Sequence, residues 1–266
     1  MKLHILTIVL DGMPFLPMQL NTFNRLGGID WTWYVVEGAA APTGSTEWCR
    51  HQAPRLSKDG STQFLINAAK SNPRIKLFQR QWWPHGKDQM VNHALGQMTE
   101  PGLLFQVDVD EIWDSWQIAG ILGSFEINEG LHWARFKMNY FVGPNIVTCV
   151  DNAYGNKSGE WLRAWRFKPG MHFKRHEPPI LSGVPTNDMT CGLWRYDTER
   201  LGYVPHHLAY VFQSQVEYKE RFYGYSNAVR HWLRLQNHPG PWPVKLKDFL
   251  PWVDDKAQAD LFIKQP

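Results

Sequence analysis

With 266 residues, the chain can bury one sizeable core, and its 28 Lys and Arg against 25 Asp and Glu give a net charge of only +3. The basic residues are scattered, so the stripe that nucleic-acid binding requires is absent, and nucleic acid is excluded as a partner. Hydrophobic residues at 43% and charged ones at 20% exclude a disordered composition. No run reaches the roughly 18 apolar residues of a membrane span, so any membrane contact is expected to be peripheral. The 14 Trp are the compositional outlier and have two readings, core packing or aromatic faces for sugar rings. Cys49, Cys149 and Cys191 are odd in number and far apart, which makes neither a disulfide framework nor a paired-cysteine metal site and fits a reducing, cytoplasmic setting. The sequon Asn156-Lys157-Ser158 carries no weight there.

In chain order, residues 3–10, LHILTIVL, form the continuous apolar run of a buried parallel strand. Asp11, Pro14 and Pro17 follow where a signal peptide would need small residues, so this run is read as the first strand. Leu16, Leu20, Phe23 and Leu26 then recur at helical spacing up to Gly27-Gly28. WTWYVVE at 31–37 is a second strand, and residues 38–60 form a long aperiodic loop with two readings, a functional flap or a disordered insertion. A helix is predicted at 62–70, a third strand at 75–80, a turn at 81–86 and a helix from Lys87 carrying Met90, Ala94 and Met98 on one face. LLFQV enters a fourth strand after Pro101-Gly102. Repeated β-α-β units predict a mainly parallel sheet flanked by helices, with ligands at the carboxyl ends of the strands.

The fourth strand ends in Asp108-Val109-Asp110-Glu111. Side chains two apart point the same way in extended chain, so Asp108 and Asp110 share one space, and two carboxylates there call for a proton or a hard cation. Asp114 with Gln117 is a capping box for the next helix. Residues 131–142 alternate apolar and polar as one half-buried strand, with Ala134, Phe136, Met138, Tyr140 and Val142 on one face. IVTCV and WLRAWRF add strands, so the second half is an α+β elaboration and no linker cuts it off. His172, His176 and Glu177 gather before two prolines, His206-His207 follow Pro205, and one long helix is predicted at about 213–236. The Pro- and Trp-rich tail is expected to wrap the body or cover the site.

FQVDVDEIW after a hydrophobic strand resembles the D-x-D-E segment of GT-A-type glycosyltransferases, family 2 in particular. ILTIVLDGMPFLPMQL, WYVVEG, the Lys87–Leu95 helix with Asn92, HEPP at 176–179 and HHLAYVFQSQVEYKERFYGY resemble further parts of that family in the same order, over residues 3–225. The resemblance implies a single GT-A-like (Rossmann-like) domain over 1–266, with a nucleotide-sugar-binding half at 1–113 and an acceptor-binding half with the C-terminal helix and tail at 114–266. It implies a non-processive hexosyltransferase, inverting by preference, that moves one sugar from a nucleotide-diphosphate sugar, UDP-sugar favoured, to a glycan or lipid-linked acceptor. Asp108, Asp110 and His207 would hold Mn²⁺ or Mg²⁺, with His206 the alternative to His207. Asp11, Glu37, Lys87 and Asp108 would contact the nucleotide-sugar. Glu177 and Asp188 are the two candidates for the general base, and Trp82, Trp83, Trp161 and Trp165 for an acceptor platform. A nucleotidyltransferase of related fold and a non-catalytic carbohydrate-binding protein remain as alternatives.

Overall fold

The computed structural model describes residues 1–43, 52–148, 161–186, 188–253 and 256–262. Strand and helix alternate through β1 (Lys2–Val9), α1 (Phe15–Asn24), β2 (Trp31–Ala40), α2 (Ser61–Ser71), β3 (Ile75–Trp83), α3 (Gly86–Leu95) and β4 (Gly102–Gln106). β1 pairs in parallel with both β2 and β4, and β2 with β3. The chain therefore steps outward from β1 through β2 to β3 and returns to β4 on the other side of β1. The crevice of this switch in direction opens at the carboxyl ends of β1 and β4, directly before Asp11 and Asp108.

Period-two alternation sorts the core onto both faces of the sheet. Leu3 and Ile5 of β1 and Leu103 and Phe105 of β4 face α1 and α4 (Ser115–Ile127), while Leu6 and Leu104 face Met90, Val91, Ala94 and Leu95 of α3. Each such side chain fully withdrawn from water contributes roughly 1.5–3 kcal/mol, which is why these strands read as unbroken apolar runs. Glu37 and Ala39 flank a register shift in the β2–β3 pairing at Gly38, whose φ of 138° suits glycine, and a Cβ there would collide with the Arg80 carbonyl.

The second half adds β5 (Glu111–Ile112), β6 (Trp133–Phe136), β7 (Asn139–Gly143), β8 (Ile146–Thr148) and β9 (Trp161–Phe167). After these come β10 (Phe173–Arg175), β11 (Ile180–Leu181), β12 (Gly192–Leu193), α5 (Arg195–Arg200) and β13 (His206–His207). The chain ends with α6 (Gln213–Tyr223), α7 (Ala228–Gln236), β14 (Val244–Lys245) and β15 (Gln258–Leu261). The main sheet has the order β12-β6-β9-β4-β1-β2-β3, with β9 antiparallel to β4 and β6, and a second sheet has the order β14-β15-β8-β7-β13-β5. The fold is thus a mixed α/β structure with a large, parallel-rich sheet flanked by helices.

Three expectations need correction. The alternating run 131–142 is two strands, not one: β6 lies in the main sheet and β7 in the second, and the chain changes sheets at Lys137-Met138. The predicted turn at 81–86 starts three residues late, because β3 runs on through Gln81, Trp82 and Trp83, the last two beside Ala39 and Ala40. The long helix at 213–236 is α6 and α7, separated where Gly224 adopts φ 72° and ends α6. The tail wraps the second sheet: β15 pairs with β8, and Leu246, Leu250 and Val253 join Tyr210, Val216 and Trp232 in a third apolar cluster.

Candidate active site

The turn after β4 is held from three directions. The Val107 amide donates to the Leu6 carbonyl and the Glu111 amide to the Asp108 carbonyl, both at 2.9 Å. Val109 packs against the core face, leaving Asp108 and Asp110 on the other side with side chains 30% and 20% exposed. Underneath, the buried Gln19 amide of α1 donates to the carbonyls of Asp108 (2.8 Å), Val109 (3.1 Å) and Glu111 (3.1 Å). One side chain thereby ties together three carbonyls of the turn and fixes it.

Arg163, central on β9, enters this acidic cluster. Its Nη2 lies 2.6 Å from Glu111 Oε1 and 2.7 Å from Asp108 Oδ2, and its Nε 2.9 Å from Glu111 Oε1. Glu111 is fully buried and Arg163 nearly so. Burial pushes the Glu111 carboxyl up from its ordinary value despite the guanidinium. At Asp108 burial is again the largest influence and opposes the charge, but Arg163 and the other groups around the carboxylate, the Gln106 amide among them, together hold it below the usual range. Sequence reasoning missed both Arg163 and Gln19.

β13 brings the histidine. It pairs antiparallel with β5, setting His207 opposite Glu111, and parallel with β7. His207 Nε2 stands 3.4 Å from Asp110 Oδ1, and its Nδ1 is 3.9 Å from Glu111 Oε1. Burial works against charge on both partners, yet their mutual attraction prevails: Asp110 is held low and His207 raised. His206, the alternative, points the other way and packs between the rings of Phe141 and Phe262.

On the far side of β4, the Gln106 amide donates to Asp108 Oδ1 (3.0 Å) and to His176 Nε2 (3.2 Å). That arrangement requires a neutral His176 whose Nε2 accepts. Burial and the nearby Lys87 charge lower its pKa to about 4. Lys87, at the start of α3, pairs with Glu177 at 3.2 Å, and Asp88 accepts the His176 amide at 2.7 Å. Asn92 bridges the amide and carbonyl of Phe173, a structural role that ties α3 to β10.

Asp11, at the end of β1 with φ 57°, is clasped by the Arg55 guanidinium and accepts the Lys58 amide at 2.8 Å. Burial is again outweighed, and its carboxyl is held low. β2 takes residues 38–40 of the predicted 38–60 loop, and the described remainder around Arg55 and Lys58 folds onto the carboxyl ends of the strands; residues 44–51 lie outside the described residues.

Two predicted site residues do not reach the cleft. Glu37 is completely buried, and its carboxylate accepts from Thr62, Ser57 N–H and Gln79, so it braces β2 against the loop and α2. Asp188 caps the short 3₁₀ turn Met189–Cys191 through Thr190 N (2.9 Å) and Oγ1 (2.7 Å), just before β12, three strands from β4. Of the proposed platforms, Trp83 and Trp165 are fully buried and belong to the core. Trp161 is half-buried, stacks on Tyr140 and lies 6.1 Å from His207, ring centre to ring centre.

The donor set fits a divalent cation in part. Two ligands at about 2.1 Å from one ion and 3.4 Å from each other subtend roughly 110°, so Asp110 and His207 can share an ion. Asp108 does not complete the expected trio, because Arg163 and Gln106 occupy both of its oxygens. Among the described residues no group of three or more metal-ligating side chains is assembled. The described helices include none long and apolar enough to cross a membrane.

No protein-family model and no curated protein matches this chain. Solved structures do match. A mannosyltransferase from Pyrobaculum calidifontis, PcManGT, in complex with GDP-Man and Mn²⁺ is 12% identical over 94% of this chain and 67% of its own, with a TM-score of 0.49. S. aureus TarS 1-349 is 15% identical over 54% of this chain and 36% of its own, TM-score 0.38, and glucosyl-3-phosphoglycerate synthase from Mycobacterium tuberculosis, with Mg²⁺ and UDP, is 13% identical over 52% and 43%, TM-score 0.37. The chain thus spans little more than a third of TarS 1-349.

Proposed function

We propose that the chain is a glycosyltransferase of the GT-A type that takes a nucleotide-diphosphate sugar in the crevice between β1 and β4 and moves the sugar to a hydroxyl acceptor. The observation that carries this reading is the meeting of Asp110 and His207, 3.4 Å apart, beside the switch in strand order. The acidic segment and the late histidine that resemble that family lie far apart in sequence and adjoin here.

Asp110 and His207 would hold Mn²⁺ or Mg²⁺, which when bound supplies a Lewis acid that offsets charge growing on a departing diphosphate. Arg163 and Gln106 fix the Asp108 carboxylate, leaving its exposed edge to accept a hydrogen bond from a donor hydroxyl. Asp11, oriented by Arg55, borders the nucleotide side, and Lys87 the phosphate side. Glu177 is the remaining base candidate. Its side chain is 44% exposed and is held 3.2 Å from Lys87, within reach of an attacking hydroxyl bound in the cleft. An inverting transfer to a glycan or lipid-linked acceptor is the form this arrangement suits best, and Trp161 offers an aromatic wall for a sugar ring.

The test is incubation with UDP- and GDP-sugars and Mn²⁺, following release of the nucleoside diphosphate. Slow release without acceptor, accelerated by a glycan or lipid-linked acceptor and abolished in Glu177→Gln, is expected. A non-catalytic carbohydrate-binding protein would release none from any donor.

A further inference from the structure

Helix α6 breaks a local rule. Its buried residues Val216 and Phe222 define the inward stripe, and the position between them, three residues from each, holds Lys219. The ammonium stands 4.8 Å from the ring centre of Tyr210 and 5.7 Å from that of Tyr223. Tyr210 is itself buried, its carbonyl held by Trp232 Nε1 at 2.8 Å. Among the described residues no carboxylate pairs with Lys219. Asp110 and Glu177 act on it only at longer range, and Lys87 repels it. A half-buried cation on two aromatic faces, with a second lysine in its field, is unfavourable unless an anion completes it.

We propose that Lys219 is the anion-binding group of this cleft and, together with Lys87, takes the phosphate oxygens of a diphosphate. The inference rests on the glycosyltransferase reading and assigns the donor's diphosphate to the space between α6 and the Asp110–His207 pair, since Lys219 and Asp110 lie in each other's field. Lys87 is already neutralised in part by Glu177, whereas Lys219 brings an unshared charge. Burial, with Lys87 adding to it, lowers the Lys219 pKa, as expected for a cation awaiting its counter-ion.

The experiment is calorimetric titration of UDP, GDP and inorganic pyrophosphate into the full chain and into Lys219→Met and Lys219→Arg, with Mn²⁺ and again with chelator. The Met variant should lose at least about tenfold in affinity for pyrophosphate and the preferred nucleotide, in chelator as well as with metal, with a shallower dependence on salt. The Arg variant should recover most of the loss, and the Met variant should melt no lower than the wild type, since it removes an unpaired cation. Undiminished diphosphate binding by Lys219→Met overturns the proposal and leaves the transferase reading intact. A wild type that binds none of the three ligands removes that reading itself. If Lys219→Met does not fold, Lys219→Gln against Lys219→Arg decides: equal binding by the two overturns the proposal.

Discussion

Replacing Arg163 by methionine should be the most damaging single change near the cleft that touches no substrate. Glu111 is fully buried, and among the described residues its only cation at hydrogen-bonding distance is Arg163, at 2.6 and 2.9 Å from one of its oxygens. Removing one partner of such a pair leaves an uncompensated buried charge, which costs about 3–5 kcal/mol. Glu111→Gln leaves Arg163 with Asp108 at 2.7 Å and should cost less, about 2 kcal/mol. In Arg163→Met/Glu111→Gln neither charge remains, so the double variant should be more stable than the sum of the singles by at least about 1.5 kcal/mol. The Arg163→Met penalty should also depend on pH. Burial already raises the Glu111 carboxyl, and losing Arg163 raises it further, so the folded state holds this proton more tightly than the unfolded chain. Stability of the variant is then best near pH 5 and falls as pH rises towards neutrality. Urea denaturation of the four proteins at pH 5 and pH 7.5 gives every term. Additivity of the two substitutions within about 0.5 kcal/mol would refute the reasoning.

The remaining expectations concern the supports on either side of the acidic turn. His176 keeps its neutral form down to about pH 4 in the fold, whereas the unfolded chain takes up the proton near its ordinary value of 6.5. Its contribution is therefore present above pH 6.5 and lost as pH falls towards 4, by roughly 3 kcal/mol, and His176→Gln should flatten that part of the stability profile measured by urea denaturation. An unchanged slope between pH 6.5 and 4.5 in that variant would contradict the buried, accepting imidazole. Gln19→Leu removes the donor to three carbonyls and should cost about 2–3 kcal/mol, together with a loss of nucleotide affinity. A cost below about 0.5 kcal/mol would mean that the turn holds itself.

Much of the first half was legible because its signals are local. Unbroken apolar runs marked β1, β2 and β4, helical spacing marked α1 and α3, and the strand-end position of Asp108 and Asp110 followed from the alternation. The second half was harder for physical reasons. Residues 131–142 keep one apolar/polar alternation while the chain crosses between sheets, yet the strands are covered on both faces, Trp133 and Ala134 in β6 and Tyr140, Phe141 and Val142 in β7, and the pattern carries no record of which sheet receives them. Gly224 was a stop signal, but the apolar spacing continues beyond it into α7. Arg163 and Gln19 share the signal that could have found them: each is polar among apolar neighbours that are buried, Gln19 in the helical stripe of Leu16 and Phe23, Arg163 in the strand run from Leu162 to Trp165. Glu37 misled because a carboxylate at a strand end looks the same in sequence whether it faces a ligand or, as here, Thr62, Gln79 and the Ser57 amide.

The central question is whether Asp110 and His207 form a metal-dependent nucleotide site. The most direct measurement is calorimetric titration of UDP and GDP into the wild type and Asp110→Asn, each with Mn²⁺ and with chelator. Binding of one nucleotide that strengthens with Mn²⁺ in the wild type and loses that metal dependence in Asp110→Asn is the predicted result. Nucleotide binding that is indifferent to both metal and Asp110, or binding of free glycans with no nucleotide binding under any condition, would contradict it.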